Sequence, residues 1–147
     1  LYTYNGGEDF VLETTQKGYR LPTAAEWEYA AQGGGSSKGY LYPGSNTLAE
    51  VADTTQFNTV GQKLPNELGF YDMAGNVSEW THDLDGVVIT RDSTVIDPMG
   101  GSTGWNRVVL GGGLNVNLEK AVLNTRRISV FDEGNVSIGF RVLLQNP

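Results

Sequence analysis

The sequence predicts an α+β domain with one or two short helices, a small antiparallel sheet and much ordered loop. One segment carries start and stop signals of a helix, and short β-branched runs lie toward the C-terminal end. Glycine accounts for 20 of the 147 residues without a three-residue period. A domain of this length buries about two thirds of its unfolded surface, so it folds without metals or crosslinks. We expect residues 1–147 to form a single domain.

The clearest helix signature begins at Thr23. Thr23 is a suitable N-cap, Glu26 completes a capping box with it, and Gly33 supplies a left-handed exit. Residues at helical spacing between these signals form an apolar stripe, made of Trp27, Ala30 and Ala31. After this helix, the glycines and serines of 33–37 predict a flexible loop.

The C-terminal third predicts three strands, at 107–110, 122–130 and 138–144. Residues 36–104 are instead rich in Asn, Asp, Thr, Gly and Pro, with only weak strand signals at 87–89 and 95–96. An irregular stretch of this length is uncommon in a compact domain without a functional reason.

Composition excludes several classes of site. The chain has no cysteine, which removes disulfides, thiolate metal sites and thiol nucleophiles. Its single histidine, His82, cannot form a site of several imidazoles, and we expect it to be structural. The net charge of −7 argues against a nucleic-acid partner, whereas it is compatible with calcium. No run approaches the length of a membrane span, so we expect no membrane insertion. The sequence starts at Leu1 without a basic, apolar signal segment, so we expect that any targeting peptide was removed or never existed.

Four segments occur in an order and spacing that resemble one family. They are YRLPTAAEWEYAA at 19–31, GFYDMAGNVSEWT at 69–81, RVVLGG at 107–112 and IGFRV at 138–142. Together they resemble the formylglycine-generating enzyme, or sulfatase-modifying factor, domain over about residues 19–143. The resemblance implies a C-type-lectin-like fold.

The sequence differs from this family at the positions that bind metal ions in the enzymes. In the enzymes, two cysteines bind copper, and the matching positions here are Val116 and Ala121. Related sulfoxide synthases use a histidine cluster for iron, which His82 alone cannot replace. The sequence therefore predicts no copper and no catalytic residue. Two alternatives stay open: a divergent oxidase that has lost its copper-binding cysteines, and an accessory module of a larger chain.

Within this fold, the chain is most similar to the variable proteins of diversity-generating retroelements. Those proteins diversify a surface just before the last strand. The resemblance implies a non-enzymatic ligand-binding protein that is displayed on a virion or microbial surface. It implies a protein or cell-surface molecule as the partner. We use the term binding face for the implied positions, which are Leu114, Asn115, Val116, Asn117, Glu119, Val122, Ile128, Ser129, Val130, Phe131, Glu133, Asn135, Val136 and Ser137.

Exposure decides between the binding face and its alternative, in which the same apolar residues pack in the core. Loops that are flanked by glycine and carry exposed apolar residues favour binding. Phe131 is the predicted apolar anchor. We expect Leu114, Val130 and Phe131 to be largely accessible to solvent.

The segment 69–81 carries a second implied site. The resemblance implies a structural calcium ion held by side-chain oxygens of Asp72 and Glu79 and by backbone carbonyls of Gly75 and Val77. The alternative is that Asp72 caps a short turn and that Asn76 and Glu79 satisfy local backbone donors.

Two further groups have structural interpretations. The tryptophans are predicted to be core anchors and not a sugar-stacking platform; they are Trp27, Trp80 and Trp105. Three arginines are predicted to form internal ion pairs or hydrogen bonds to backbone carbonyls; they are Arg126, Arg127 and Arg141.

Overall fold

A computed structural model describes residues 2–4, 10–12, 17–86, 98, 100, 104–114, 126–130 and 135–146. Within these ranges, no helix has the length and apolar character that crossing a membrane requires. The weak strand signals at 87–89 and 95–96 lie outside the described residues.

The predicted helix, α1, spans Ala24–Ala31 and begins with the predicted capping box. The Glu26 backbone N–H donates to Thr23 Oγ1 at 3.2 Å, and the Thr23 N–H donates to the Glu26 carboxylate at 2.7 Å. Gly33 follows with φ 85°. The flexible loop expected at 33–37 is instead an ordered 3₁₀ turn at Gly34–Ser36. A short second helix, α2, spans Leu48–Val51.

In the described parts of the chain, ten strands form four small sheets. In chain order the strands are β1 Tyr2–Tyr4, β2 Phe10–Leu12, β3 Gly18–Arg20, β4 Ala52–Asp53, β5 Ala74–Gly75, β6 Ser78–Leu84, β7 Asn106–Leu110, β8 Arg127–Val130, β9 Ile138–Phe140 and β10 Leu143–Gln145. The main sheet has the order β8-β7-β6-β9, while β1 pairs with β2, β3 with β10 and β4 with β5.

The sequence predicted an antiparallel sheet. The main sheet is instead mixed, because β9 runs parallel to β6. The strand predicted at 107–110 is confirmed as β7. The strand predicted at 122–130 is described only over β8. The single strand predicted at 138–144 is wrong, because it divides at Arg141 into β9 and β10. Arg141 donates to Glu79 at this point, and Leu143 then pairs with Arg20 of β3.

Strand β6 lies inside the stretch that was predicted to be irregular. Its buried positions are all polar: Ser78, Glu79, Thr81 and Asp83. The Thr81 hydroxyl donates to the Val108 carbonyl at 2.9 Å, and the Ala24 N–H at the start of α1 donates to Asp83 at 2.7 Å. These bonds replace the apolar contacts that usually reveal a buried strand.

Helix α1 packs against β6 and β7 to form the main core. The buried residues of this cluster are Ala24, Trp27, Ala31, Met73, Val108 and Leu110, with Ala30 packed against it. The predicted stripe of α1 therefore faces the sheet. The side of the sheet that carries Val108 and Leu110 meets the helix.

Candidate functional site

Strand β8 carries three residues of the predicted binding face. Its register places Ile128 opposite Val108, Ser129 opposite Arg107 and Val130 opposite Asn106. Ser129 is partly buried. Within the described residues β8 is an edge strand, since it pairs only with β7. This part of the binding face therefore belongs to a strand that is hydrogen-bonded to β7.

The turn before β9 carries three more residues of the predicted binding face: Asn135, Val136 and Ser137. The Asn135 side-chain oxygen accepts hydrogen bonds from the Ser137 backbone N–H at 2.9 Å and hydroxyl at 2.6 Å. The Ser137 carbonyl accepts from the Ser78 N–H of β6 at 3.0 Å. Val136, at the tip, is 90% exposed. The turn is thus fastened to the sheet and presents an apolar side chain to solvent.

Leu114 follows a glycine turn at the end of β7. Gly111 and Gly112 have φ values of 87° and 66°, and Leu114 is partly buried. The remaining predicted positions lie outside the described residues; they are Asn115, Val116, Asn117, Glu119, Val122, Phe131 and Glu133. Because Leu114 is partly buried, the expectation that it is largely accessible to solvent is wrong. The same expectation for Val130 and Phe131 stays a prediction, because their side chains lie outside the described set.

A cluster around the buried Glu79 carboxylate joins three of the four sequence motifs, at 19–31, 69–81 and 138–142. The guanidinium of Arg141 donates from Nε and a terminal nitrogen to the two Glu79 carboxylate oxygens, at 2.5 and 2.7 Å. The indole of Trp27 donates to the same carboxylate at 2.6 Å. The Glu79 side chain is 9% exposed and that of Arg141 is 26% exposed. One carboxylate thereby connects helix α1, strand β6 and the residue after β9.

The residues implied for calcium do not present a free ligand set. Arg141 donates to both Glu79 oxygens, and Trp27 donates to one of them. Asp72 has φ 55°; its side chain accepts from the Gly61 N–H at 2.7 Å, and its carbonyl accepts from Arg141 at 3.4 Å. The positive charge that Glu79 requires is therefore supplied by arginine. Across the described residues, no three His, Asp or Glu side chains form a metal-binding group. These bonds favour the alternative in which Asp72 and Glu79 have structural partners. Calcium binding by Asp72, Gly75, Val77 and Glu79 stays an untested implication of the resemblance.

His82 has a structural environment on β6. Its N–H donates to the Pro22 carbonyl at 2.8 Å, and its carbonyl accepts from Arg107 at 2.5 Å. Burial lowers the His82 pKa to about 4, and the positive charges of Arg107 and Arg20 act in the same direction. The imidazole is therefore neutral near pH 7, which fits the expected structural role.

The three tryptophans differ in how far they are buried. Trp27 is a buried core residue as predicted, and Trp80 is partly buried. The core role predicted for Trp105 is wrong, because its side chain is 79% exposed. Trp105 lies just before β7, where the neighbouring backbone is bonded to the turn at Asp85 and not packed against α1.

Two of the predicted arginine ion pairs are confirmed. Arg141 pairs with Glu79, and Arg126 donates to both Glu28 oxygens at 2.8 and 3.0 Å. The hydrogen bond to Glu28 raises the Arg126 pKa despite burial. The side chain of Arg127 is outside the described set. The Arg126 bond fastens the residue before β8 to α1.

Comparison with known proteins shows strong likenesses. A family model for the sulfatase-modifying factor enzyme 1-like domain matches residues 2–146. The solved structure of Treponema denticola variable protein 1 is similar with a TM-score of 0.82 and 33% identity, covering 93% of this chain and 51% of that chain. These likenesses confirm the predicted α+β, C-type-lectin-like fold.

Curated relatives include proteins of different kinds. The chaperone protein LppX of Paenibacillus barcinonensis is 41% identical over 110 residues, which are 60% of this chain and 39% of that protein. The formylglycine-generating enzyme of Streptomyces coelicolor is 37% identical over 112 residues, which are 65% of this chain and 36% of the enzyme. The chain thus spans well under half the length of these relatives.

Proposed function

We propose, on the premise that the chain belongs to the sulfatase-modifying factor enzyme 1-like domain family, that it uses this fold to bind a ligand and not to oxidise a substrate. In this proposal it is the variable protein of a diversity-generating retroelement. The binding face recognises the ligand, while the motifs at 69–81, 107–112 and 138–142 form a constant frame.

The chemistry of the side chains supports a non-enzymatic role. Copper in the resembled enzymes needs thiolates, and this chain has no cysteine. The one histidine, His82, is neutral and bonded through its backbone to Pro22 and Arg107. Glu79, a buried carboxylate, is fully engaged by Trp27 and Arg141. These groups are committed to structure.

The observation that carries the proposal is the connection of the frame to the turn at 135–137. Arg141 binds Glu79 just beyond β9, and Ser137 is bonded to Ser78 on the neighbouring strand. The exposed side chain of Val136 can therefore change while the backbone of the turn stays in place. A preorganised backbone binds without a large ordering cost, so affinity depends on the side chains that are displayed.

Two further considerations favour this class of binding protein. The likeness to a solved protein called variable protein 1 extends over 93% of this chain. The net charge of −7 disfavours phosphate backbones as ligands. We therefore propose a protein or cell-surface molecule as the ligand, and a virion or microbial surface as the bearer.

The DNA beside the gene tests the retroelement assignment. We expect a reverse transcriptase gene and a near-copy of the codons for residues 107–141, with the differences confined to adenines in the copy. A neighbourhood that lacks both, in a complete genome, would overturn the assignment.

A second candidate function is a divergent oxidase. It is favoured by the 37% identity to the Streptomyces coelicolor formylglycine-generating enzyme. The purified chain can be incubated with copper, oxygen and a cysteine-containing sulfatase peptide, with mass spectrometry of the peptide as the readout. We expect the cysteine to stay unmodified, whereas conversion to formylglycine would establish the oxidase and reject the binding proposal.

A further inference from the structure

The tetrapeptide Gly-Asn-Val-Ser occurs twice in the sequence, at 75–78 and at 134–137. Each copy contains the sequon Asn-x-Ser, in which x is not proline, and this tripeptide is the acceptor sequence for N-linked oligosaccharides. No other asparagine of the chain has Ser or Thr two positions later. We propose that Asn135, and not Asn76, is a site of N-linked glycosylation. This inference goes beyond the proposed function and does not depend on it.

The side-chain amide of Asn135 is accessible. Asn135 is exposed, as is the next residue, Val136. One terminal atom of the Asn135 side chain contacts the Ser137 backbone N–H at 2.9 Å, and because a backbone N–H can only donate, this atom is the oxygen. The amide nitrogen, which is the atom that a sugar would join, is therefore the other one. Within the part of the chain that the structure describes, this nitrogen donates no hydrogen bond.

Local hydrogen bonds explain why this sequon forms an exposed turn. The Ile138 N–H donates to the Asn135 carbonyl at 3.1 Å, which closes a four-residue turn. Asparagine is favoured at the first position of such a turn, because its side chain bonds to the backbone two residues later. The Ser137 hydroxyl, which completes the sequon, donates to the Asn135 side-chain oxygen at 2.6 Å. The two side chains that define the sequon therefore lie together on one turn at the surface.

The identical sequon at 76–78 is inaccessible. Asn76 is 6% exposed and Ser78 is 4% exposed. The Asn76 amide nitrogen donates to the Asn58 carbonyl at 3.1 Å, and its side-chain oxygen accepts from the Asn58 N–H at 3.2 Å. The two copies are neighbours in space, since the Ser78 N–H donates to the Ser137 carbonyl. Position in the fold, and not the tripeptide, therefore distinguishes them.

The modification is the transfer of an oligosaccharide from a lipid pyrophosphate donor by an oligosaccharyltransferase. The Asn135 amide nitrogen forms a bond to C1 of the first sugar, and the bond between C1 and the pyrophosphate oxygen breaks. The nitrogen loses one proton to the solvent, the lipid pyrophosphate leaves with the electron pair, and no group is oxidised or reduced. A glycan is bulky and hydrophilic. At Asn135 it covers the apolar side chain of Val136 and changes the surface that the turn presents.

The test compares the two sequons in the folded chain and in peptides. The purified chain and two synthetic peptides, of residues 72–80 and 131–139, are each incubated with a lipid-linked oligosaccharide and a purified single-subunit oligosaccharyltransferase. Intact mass spectrometry counts the glycans, and peptide mapping locates them. We expect both peptides to be modified, because each contains the sequon. We expect the folded chain to carry one glycan, at Asn135.

Matched substitutions test the assignment. Asn135→Gln and Ser137→Ala should abolish the modification, whereas Ser137→Thr should retain it, because the sequon accepts either hydroxyl. Ser78→Ala makes the same change in the buried copy and keeps the backbone N–H that bonds to Ser137, so the glycan at Asn135 should stay. Each reaction is run well below the thermal midpoint of the variant, so that only folded protein is tested.

Several results would overturn the proposal. If the 131–139 peptide is modified but the folded chain is not, the turn denies access to the transferase. If that peptide stays unmodified, the sequon is not an acceptor. Equal modification of Asn76 and Asn135 in the folded chain, or an unmodified 72–80 peptide, would reject burial as the reason for the selectivity. None of these results bears on ligand binding, which the DNA beside the gene tests separately.

Discussion

Glu79 and Arg141 are 62 residues apart in the sequence and form a bidentate ion pair, with N···O distances of 2.5 and 2.7 Å. The Trp27 indole binds the same carboxylate. This arrangement joins α1, β6 and the end of β9 at one point. It satisfies a buried charge with a cation and a neutral donor, as a stable buried carboxylate requires.

Removing Arg141 should destabilise the fold strongly. Arg141→Met leaves the Glu79 carboxylate buried without a counter-charge, and we expect a loss of about 3 kcal/mol in the free energy of unfolding. Urea unfolding measures this. The control is Arg126→Met, which breaks the more exposed pair with Glu28 and should cost about 1 kcal/mol or less. Equal losses for the two variants would show that the Glu79–Arg141 pair is not a central connection.

Calcium should have no effect on the thermal midpoint. Glu79 already has Arg141 as its cation, and the Asp72 side chain is bonded to Gly61. A ligand that binds only the folded state raises the midpoint. We therefore expect the same melting curve with calcium and with a chelator. A higher midpoint in calcium would establish a structural ion, and loss of that increase in Asp72→Asn would place it at this segment.

Two glycines with nearly the same backbone conformation should differ in their tolerance of a side chain. Gly75 and Gly61 have φ of 75° and 76°. A Cβ at Gly75 would overlap the Asp53 carbonyl oxygen and lie 2.9 Å from the Asp53 nitrogen, whereas nothing lies within 4 Å of one at Gly61.

We expect Gly61→Ala to cost only the left-handed backbone strain, about 1–2 kcal/mol. Gly75→Ala adds a clash with backbone atoms, so its loss in urea unfolding should be larger by at least about 1 kcal/mol. Equal losses would mean that the β4–β5 contact can move apart without cost.

Acid should destabilise the protein through His82. Its pKa falls from 6.5 to about 4 on folding, mainly because burial disfavours the charged imidazole. The unfolded chain therefore takes up the proton first, so stability is full above about pH 6.5 and is lost as the pH falls toward 4.

The matched variant is His82→Gln, which cannot titrate. We expect its unfolding free energy to change less than that of the original chain between pH 7 and pH 4.5. Burial raises the Glu26 pKa, but hydrogen bonds from Arg20 and Thr23 lower it overall. Glu26 therefore acts at lower pH and in both proteins. Parallel pH profiles for the two would contradict the role given to His82.

Local signals in the sequence were sufficient for the elements whose partners lie nearby. Helix α1 was predictable because its start signals, Thr23 and Glu26, and its stop signal, Gly33, lie within one short segment. Strand β7 was predictable from its β-branched run and the glycines that end it. The fold as a whole followed from a resemblance, which the family match confirms.

Other features depend on contacts between distant residues. Strand β6 was missed because its buried positions are polar, and their partners Val108 and Ala24 are far away in the sequence. Arg141 was predicted to form an ion pair, but no local pattern identifies Glu79 as its partner. The exposure of Trp105 follows from how the turn at Asp85 holds the start of β7, which composition does not reveal.

The most direct measurement of the central claim is to sequence this gene in many cells of one population. If the frame is constant and the binding face is diversified, substitutions will concentrate in the binding-face codons between 114 and 137. The codons for 69–81, 107–112 and 138–142, including Glu79 and Arg141, will be unchanged. Substitutions spread evenly along the gene, or a uniform sequence at the binding face, would contradict the account.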